Sequence, residues 1–233
     1  MNRASAEVSV ERLSVPINTA FEFPSSVSKD EVVQVSLLED FSILSTAGSA
    51  NSIGRTDQLR IYFGTSATRP AIEVSIISCS SCSSASPTFV MDKFTFDADS
   101  GRAVTSNNFC STVAGGPTVN TNVGPSRVFD HSATLVLNIA SCGNDNVASS
   151  DNPVLARIRL LYNNASVPVA VQAFTSGGAA KVLPDQGSII TSVGSTPSGV
   201  NRKLTVTRLY PALPAIFDYV LYNGSKNQPL SKP

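Results

Sequence analysis

The feature that most constrains this chain is a series of short segments in which apolar and polar residues alternate. Successive side chains of a strand point to opposite faces, so a period of two predicts β-strands with one buried face. The clearest segments are Gln58–Phe63, Ala71–Ile77, Phe89–Phe96, Ala133–Ile139, Val154–Tyr162 and Val167–Phe174. Stretches rich in Gly, Ser, Asn and Pro separate them and are typical of turns. The pattern predicts about eight to ten strands, most of them antiparallel.

Residues 202–222 contain two further β-rich runs joined by a turn with two prolines. Two such runs with a short connection are typical of a hairpin. We expect this hairpin to complete a sheet, with Leu204 and Ile216 on its buried face. An aspartate at either position should then destabilise the fold, because it would bury an unpaired charge.

The N-terminal stretch departs from this pattern. Four of its apolar residues recur at spacings of three and four, which is the spacing of one helix face. These residues are Ala6, Val10, Leu13 and Ile17. Val8 and Val15 fit local strand alternation instead, and Pro16 would interrupt a helix. We expect a helix over residues 3–20 whose apolar face packs on the sheet.

The expected fold class is therefore α+β, with an N-terminal helix packed on an antiparallel β-sheet. Residues 1–24 would form the helical segment, residues 25–222 a β-rich globular head, and residues 223–233 a flexible polar tail. If the N-terminal stretch is strand, the alternative is an all-β sandwich or jelly roll.

Composition and charge exclude several classes of function. The net charge is zero and charged residues make up 15% of the chain, without a basic stripe, so nucleic acid is not an expected partner. No run of about 18 apolar residues is present, so the sequence predicts no membrane span. Ser, Thr, Asn, Gly and Val dominate, a mix common in exported surface proteins.

No catalytic constellation emerges, and we expect neither an enzyme nor a cofactor. Asp130, His131 and Ser132 are the residue types of a catalytic triad, but adjacent side chains in a strand point to opposite faces. We interpret them as a turn before a strand. Asp97 and Asp99 alternate as in a calcium loop, but Arg102 occupies the position where an EF-hand needs glycine. A hairpin turn is the favoured interpretation, and a weak calcium site is the alternative.

Four cysteines, Cys79, Cys82, Cys110 and Cys142, lie in Ser-, Gly- and Asn-rich surroundings. Disulfides are the favoured interpretation and would place the protein in an oxidising, extracytoplasmic compartment. Free thiols and a zinc site are the alternatives. Because a bridge between Cys79 and Cys82 would close a very small loop, we expect each of them to pair separately with Cys110 or Cys142.

The layout resembles the type IV pilin-like family, especially minor pilins. The segment Asn2–Leu13 resembles the soluble half of a pilin helix whose hydrophobic first half is missing. Asp57–Phe63 is similar to the first sheet strand of these proteins, and Leu213–Tyr219 to their C-termini.

The resemblance implies a non-enzymatic structural or adhesive subunit of a surface filament. Its partners would be other pilin subunits, pilus assembly proteins and the surface of a host or partner cell. It would be extracellular, on a bacterial pilus, and it would contact the membrane only through the missing helix. Two rival hypotheses need no pilus: a secreted β-sandwich adhesin or binding module, and a structural protein of a virion.

Overall fold

The computed structural model describes residues 5–40, 44–47, 49, 51–65, 68–84, 86–103, 109–114, 118–140, 146–196 and 199–212. Within these ranges the structure is dominated by β-strands. The helical segments are a 3-10 turn, Leu44–Thr46, and the three-residue α1, Ser100–Arg102.

The strands, in chain order, are β1 (Ser5–Arg12), β2 (Phe21–Glu22), β3 (Val32–Ser36), β4 (Gln58–Phe63), β5 (Ala71–Cys79), β6 (Phe89–Asp97), β7 (Cys110–Ser111), β8 (Val113–Ala114), β9 (Thr118–Val119), β10 (Arg127–Val128), β11 (His131–Val136), β12 (Asn152–Leu161), β13 (Val169–Phe174), β14 (Ala180–Lys181), β15 (Gly187–Ser195) and β16 (Asn201–Leu209).

Two sheets form a sandwich with jelly-roll topology. The first runs β14-β13-β4-β11-β8, and β2 also pairs with β13. The second runs β3-β12-β5-β6-β7. The eight principal strands of the sandwich therefore lie in the order β2-β13-β4-β11 in one sheet and β3-β12-β5-β6 in the other. The chain changes sheet at every step between these strands except from β5 to β6. This arrangement of two interleaved Greek keys defines a jelly roll.

The core lies between the two sheets and contains the alternating residues recognised in the sequence. Leu59, Ile61 and Phe63 of β4 are fully buried, and they face Ile72 and Val74 of β5 across one continuous cluster. Burial of an aliphatic or aromatic side chain of this size contributes about 1.5–3 kcal/mol relative to exposure. The period-two pattern is thus satisfied by sheet-on-sheet packing.

The helix expected over residues 3–20 is wrong, and with it the α+β class: the fold is the all-β alternative. Residues Ser5–Arg12 form β1, which pairs antiparallel with β15. Of the predicted helix face only Leu13 is buried; Ala6 is exposed, as are Val10 and Ile17, by 65% and 55%. The same stretch also alternates with a period of two, and its β-branched valines suit the strand pairing that β15 provides.

Strands β1, β15 and β16 form a separate three-stranded sheet, which we call the β arm. Both of its ladders are antiparallel and run without a register shift. The base of the β arm is fixed to the sandwich, where Ile189 and Leu209 pack on the core. The side chain of Gln186 accepts from the Ser36 N–H (2.8 Å) and donates to the Ser36 carbonyl (3.0 Å). The glycine at position 187 is required, because a Cβ there would collide with the Arg208 carbonyl.

The C-terminal hairpin is also different from the expectation. β16, the strand that contains Leu204, pairs antiparallel with the strand that precedes it in the chain, β15, from Gly187↔Leu209 to Ser195↔Asn201. Leu204 is 64% exposed, so its expected burial is wrong. Ile216, the rest of residues 213–222, and the tail at 223–233 lie outside the described residues.

Candidate functional site

The β arm presents one apolar face to solvent. Directly opposite residues of an antiparallel ladder share a face, and the register places Val8 beside Ser192 and Leu204, and Val10 beside Ile190 and Val206. We call this surface the arm apolar face; it consists of Ala6, Val8, Val10, Ile190, Leu204 and Val206. Val8 is 62% exposed and Val206 46%. Large contiguous apolar surfaces are uncommon on monomers and indicate an interaction site.

The charged residues of the β arm differ in sign between its two outer strands. β1 carries Glu7 and Glu11, with Arg12 at its end, whereas β16 carries Arg202, Lys203 and Arg208 and has no carboxylate. All residues of β1 are exposed, and so are those of β16 except the last.

A cleft of about 500 Å³ lies where the base of the β arm meets the sandwich. Its charged groups are already paired. Arg12 donates to Asp185 (3.4 Å), and the Lys181 ammonium donates to Asp57 (2.6 Å) and to the Ser52 carbonyl (2.8 Å). These contacts stabilise the junction and supply no convergent acid and base for catalysis.

Asp130, His131 and Ser132 do not assemble a triad. His131 opens β11 opposite Phe63, and its ring lies 6.0 Å from the Phe63 ring. Its Nδ1 is buried without a hydrogen-bond partner among the described residues. Burial lowers the pKa of His131 below its ordinary value of 6.5. The histidine therefore belongs to the packing at the edge of the core.

The two carboxylates of the possible calcium loop are engaged by the protein itself. Asp97 accepts from Nε (2.7 Å) and Nη2 (2.6 Å) of Arg102, and its side chain is completely buried. Asp99 caps α1 by accepting from the backbone N–H of Arg102, which lowers the pKa of Asp99. Among the described residues, no three His, Cys, Asp or Glu side chains lie close enough together to hold a metal. The favoured hairpin turn is nevertheless wrong, because the next described strand, β7, pairs in parallel with β6, and the turn contains α1, where the Arg102 guanidinium neutralises Asp97.

The cysteines pair differently from the favoured scheme. Cys79, at the end of β5, is joined to Cys82, and their Cα atoms lie 5.5 Å apart. That separation lies within the normal range for disulfides. Cys110 is also disulfide-bonded. Cys142 lies outside the described residues.

Sequence reasoning missed the arm apolar face, which contains the most exposed aliphatic residues of the β arm. The helical spacing predicts Val10 on a helix, and the hairpin pattern predicts Leu204 on a buried face. The available signal was the alternation of Ala6, Val8 and Val10 with polar residues, which indicates a strand with one apolar face. Its partner strand lies more than a hundred residues away in sequence, and no local pattern reveals it.

The fold thus defines the class, an all-β jelly-roll protein with an exposed three-stranded arm. Comparison with protein-family models, curated proteins and solved structures finds no match to this chain. None of the described helical segments has the length and apolar character needed to cross a bilayer.

Proposed function

We propose that this protein is a non-enzymatic structural subunit of a virion, which assembles with copies of itself. The observation that carries the proposal is the jelly-roll strand order combined with a β arm that leaves the sandwich. Jelly rolls host viral capsid domains, lectins and cupins, so the fold alone does not decide between them. The β arm favours assembly because it exposes aliphatic side chains that a free monomer would normally cover.

The polar groups of the described residues support a structural role. The buried carboxylate of Asp97 is held by Arg102, and the amine of Lys181 by Asp57. Glu22, also buried, pairs with Arg127. Groups neutralised in this way stabilise a subunit, whereas catalytic acids and bases are kept available to substrate.

The pilus assignment depended on an N-terminal helix, and that segment is a strand of the β arm. A disulfide-bonded chain without a membrane-crossing helix among its described residues is compatible with an extracellular location. A virion particle meets that condition after release.

The assembly proposal is tested by measuring the mass of the purified protein across protein and salt concentrations. Sedimentation velocity should show discrete species much larger than 24.4 kDa, and negative-stain electron microscopy should show particles of regular size. A single monomeric species under every condition would contradict the proposal.

A second candidate, a secreted adhesin or binding module, is favoured by the bond between Cys79 and Cys82, since disulfides are typical of secreted domains. An adhesin would bind glycans or cell surfaces as a monomer. Saturable binding of monomeric protein to a glycan array, with no particle formation, would favour this function over the virion subunit.

A further inference from the structure

We infer that the β arms of neighbouring copies join edge to edge, so that β1 of one copy pairs in parallel with β16 of the next and forms a continuous intermolecular sheet. The inference rests on the proposed self-assembly and names the surface that carries it. The occupant is a second copy of this chain.

Both outer strands of the β arm are open to such pairing. β1 has eight residues and β16 has nine, and neither contains a proline or a shift in register. Within the described residues, no strand pairs with the outer edge of either one. A long, regular and exposed edge presents unpaired N–H and C=O groups, and it readily pairs with another chain unless the sequence opposes this.

The charges select which edges can meet. Two β1 edges together would bring four carboxylates and only two guanidinium groups into one junction, and two β16 edges would bring six cations together without a carboxylate. A β1 edge against a β16 edge instead places Glu7 and Glu11 beside a strand whose charged residues are all cationic, and Lys203 lies on the same face as the two glutamates. Like charges opposite one another destabilise strand pairs, and unlike charges stabilise them.

The register of the β arm predicts the rows of this junction. β1 and β16 are both antiparallel to β15, so they run in the same direction. Repeating the β arm side by side therefore places β1 parallel to the neighbour's β16 and keeps the arm apolar face on one side. Glu7 and Lys203 both pair with Val193, so they occupy the same row.

The next row continues the apolar surface across the junction. Val8 and Leu204 both pair with Ser192. In the repeated arrangement the side chain of Val8 would lie beside Leu204 of the next copy. A contact between two different edges is heterologous, and it gives rings when the rotation between copies closes and filaments when it does not.

Charge reversal at one edge and then the other tests the inference. One variant carries Glu7→Lys and Glu11→Lys, and the other carries Arg202→Glu and Lys203→Glu. Each variant alone should lose association by about 100-fold or more at low salt, because its two edges then repel. A one-to-one mixture should restore assembly, because both kinds of junction between the two variants again join unlike charges.

Lys29→Glu, on the exposed β2–β3 connection, is the matched control and should assemble like the unmodified protein. Circular dichroism checks that all variants fold. As a second measurement, one chain with Glu7→Cys is mixed with another carrying Lys203→Cys and treated with a short thiol cross-linker. A covalent dimer of the two chains should form.

The outcomes separate the two proposals. If the unmodified protein assembles and each edge variant assembles equally well, edge pairing is overturned and the virion role stands. The same holds if the mixture fails to restore assembly or if the cysteine pair gives no dimer. If the unmodified protein stays monomeric throughout, the virion role fails and edge pairing fails with it.

Discussion

Replacing Arg102 with methionine would remove the guanidinium that neutralises the buried carboxylate of Asp97. Arg102 makes two hydrogen bonds to Asp97, whose side chain has no exposed surface. Its Nη2 also donates to the carbonyl of Arg69 (2.7 Å), and its guanidinium lies 4.6 Å from the centre of the Tyr162 ring. One side chain thus joins the end of β6, the segment before β5 and the turn after β12.

The expected loss of stability follows from burial. Removing one partner of a buried ion pair costs about 3–5 kcal/mol, because the remaining charge stays desolvated. The Arg102 side chain is 26% exposed, so water reaches part of the pair. We therefore expect the lower end, about 3 kcal/mol. For a chain of this length, that corresponds to a decrease of about 6–12 °C in melting temperature.

Urea and thermal unfolding followed by circular dichroism measure this loss, because the chain has no tryptophan to serve as a fluorescent probe. Arg12→Met is the matched control: the side chain of Arg12 is 73% exposed in its ion pair with Asp185, and its loss should cost less than about 1 kcal/mol. Arg102→Met combined with Asp97→Asn completes a double-mutant cycle. The reasoning would be refuted if Arg102→Met unfolded like Arg12→Met.

Three further predictions follow. Leu204→Asp should change the free energy of unfolding by less than about 0.5 kcal/mol, whereas Ile61→Asp, at a fully buried site, should prevent folding; equal effects in urea titrations would contradict the exposure of the β arm. The lowered pKa of His131 means that the unfolded chain binds the proton more readily. Stability should therefore fall from about pH 7 to about pH 5, and His131→Asn should flatten that slope; an unchanged slope would contradict the assignment. Non-reducing peptide mapping should recover Cys79 and Cys82 in one unalkylated, internally bonded peptide; free, alkylated thiols would contradict the bond.

The sandwich strands could be predicted from sequence because their pattern is decided locally. The expected strand at Gln58–Phe63 has the same limits in the structure. The strand expected at Ala71–Ile77 begins at the same residue and continues two residues further, to Cys79. Each of these segments buries one face completely, so a period of two survives in the sequence. The pairing order was not predictable in the same way, since it depends on contacts between distant segments.

The helix predicted for the N-terminal stretch was wrong for a physical reason. Its apolar residues match both a helical spacing and a strand spacing, and isolated propensity is a weak guide when a tertiary partner is present. The partner is β15, which begins at Gly187. The burial predicted for Leu204 was wrong for another reason: folded proteins leave part of their apolar surface exposed, so an apolar side chain is not always inside. Among the candidate sites, the hairpin turn expected at Asp97 is wrong, because β7 pairs in parallel with β6, a long-range pairing that the local sequence does not reveal.

The pairing of the β arm also determines when its edges come into existence. The strands of the first part of the chain pair with those of the last part in nested order: β1 with β15, β2 with β13, and β3 with β12. The hydroxyls of Ser5 and Ser195, hydrogen-bonded at 2.8 Å, are separated by 190 positions. The ribosome makes the N-terminal segment first, so β1 cannot form its pairing until β15 has been synthesised. The edges that we assign to assembly are thus completed only after β15 and β16, near the end of the described chain, have been made.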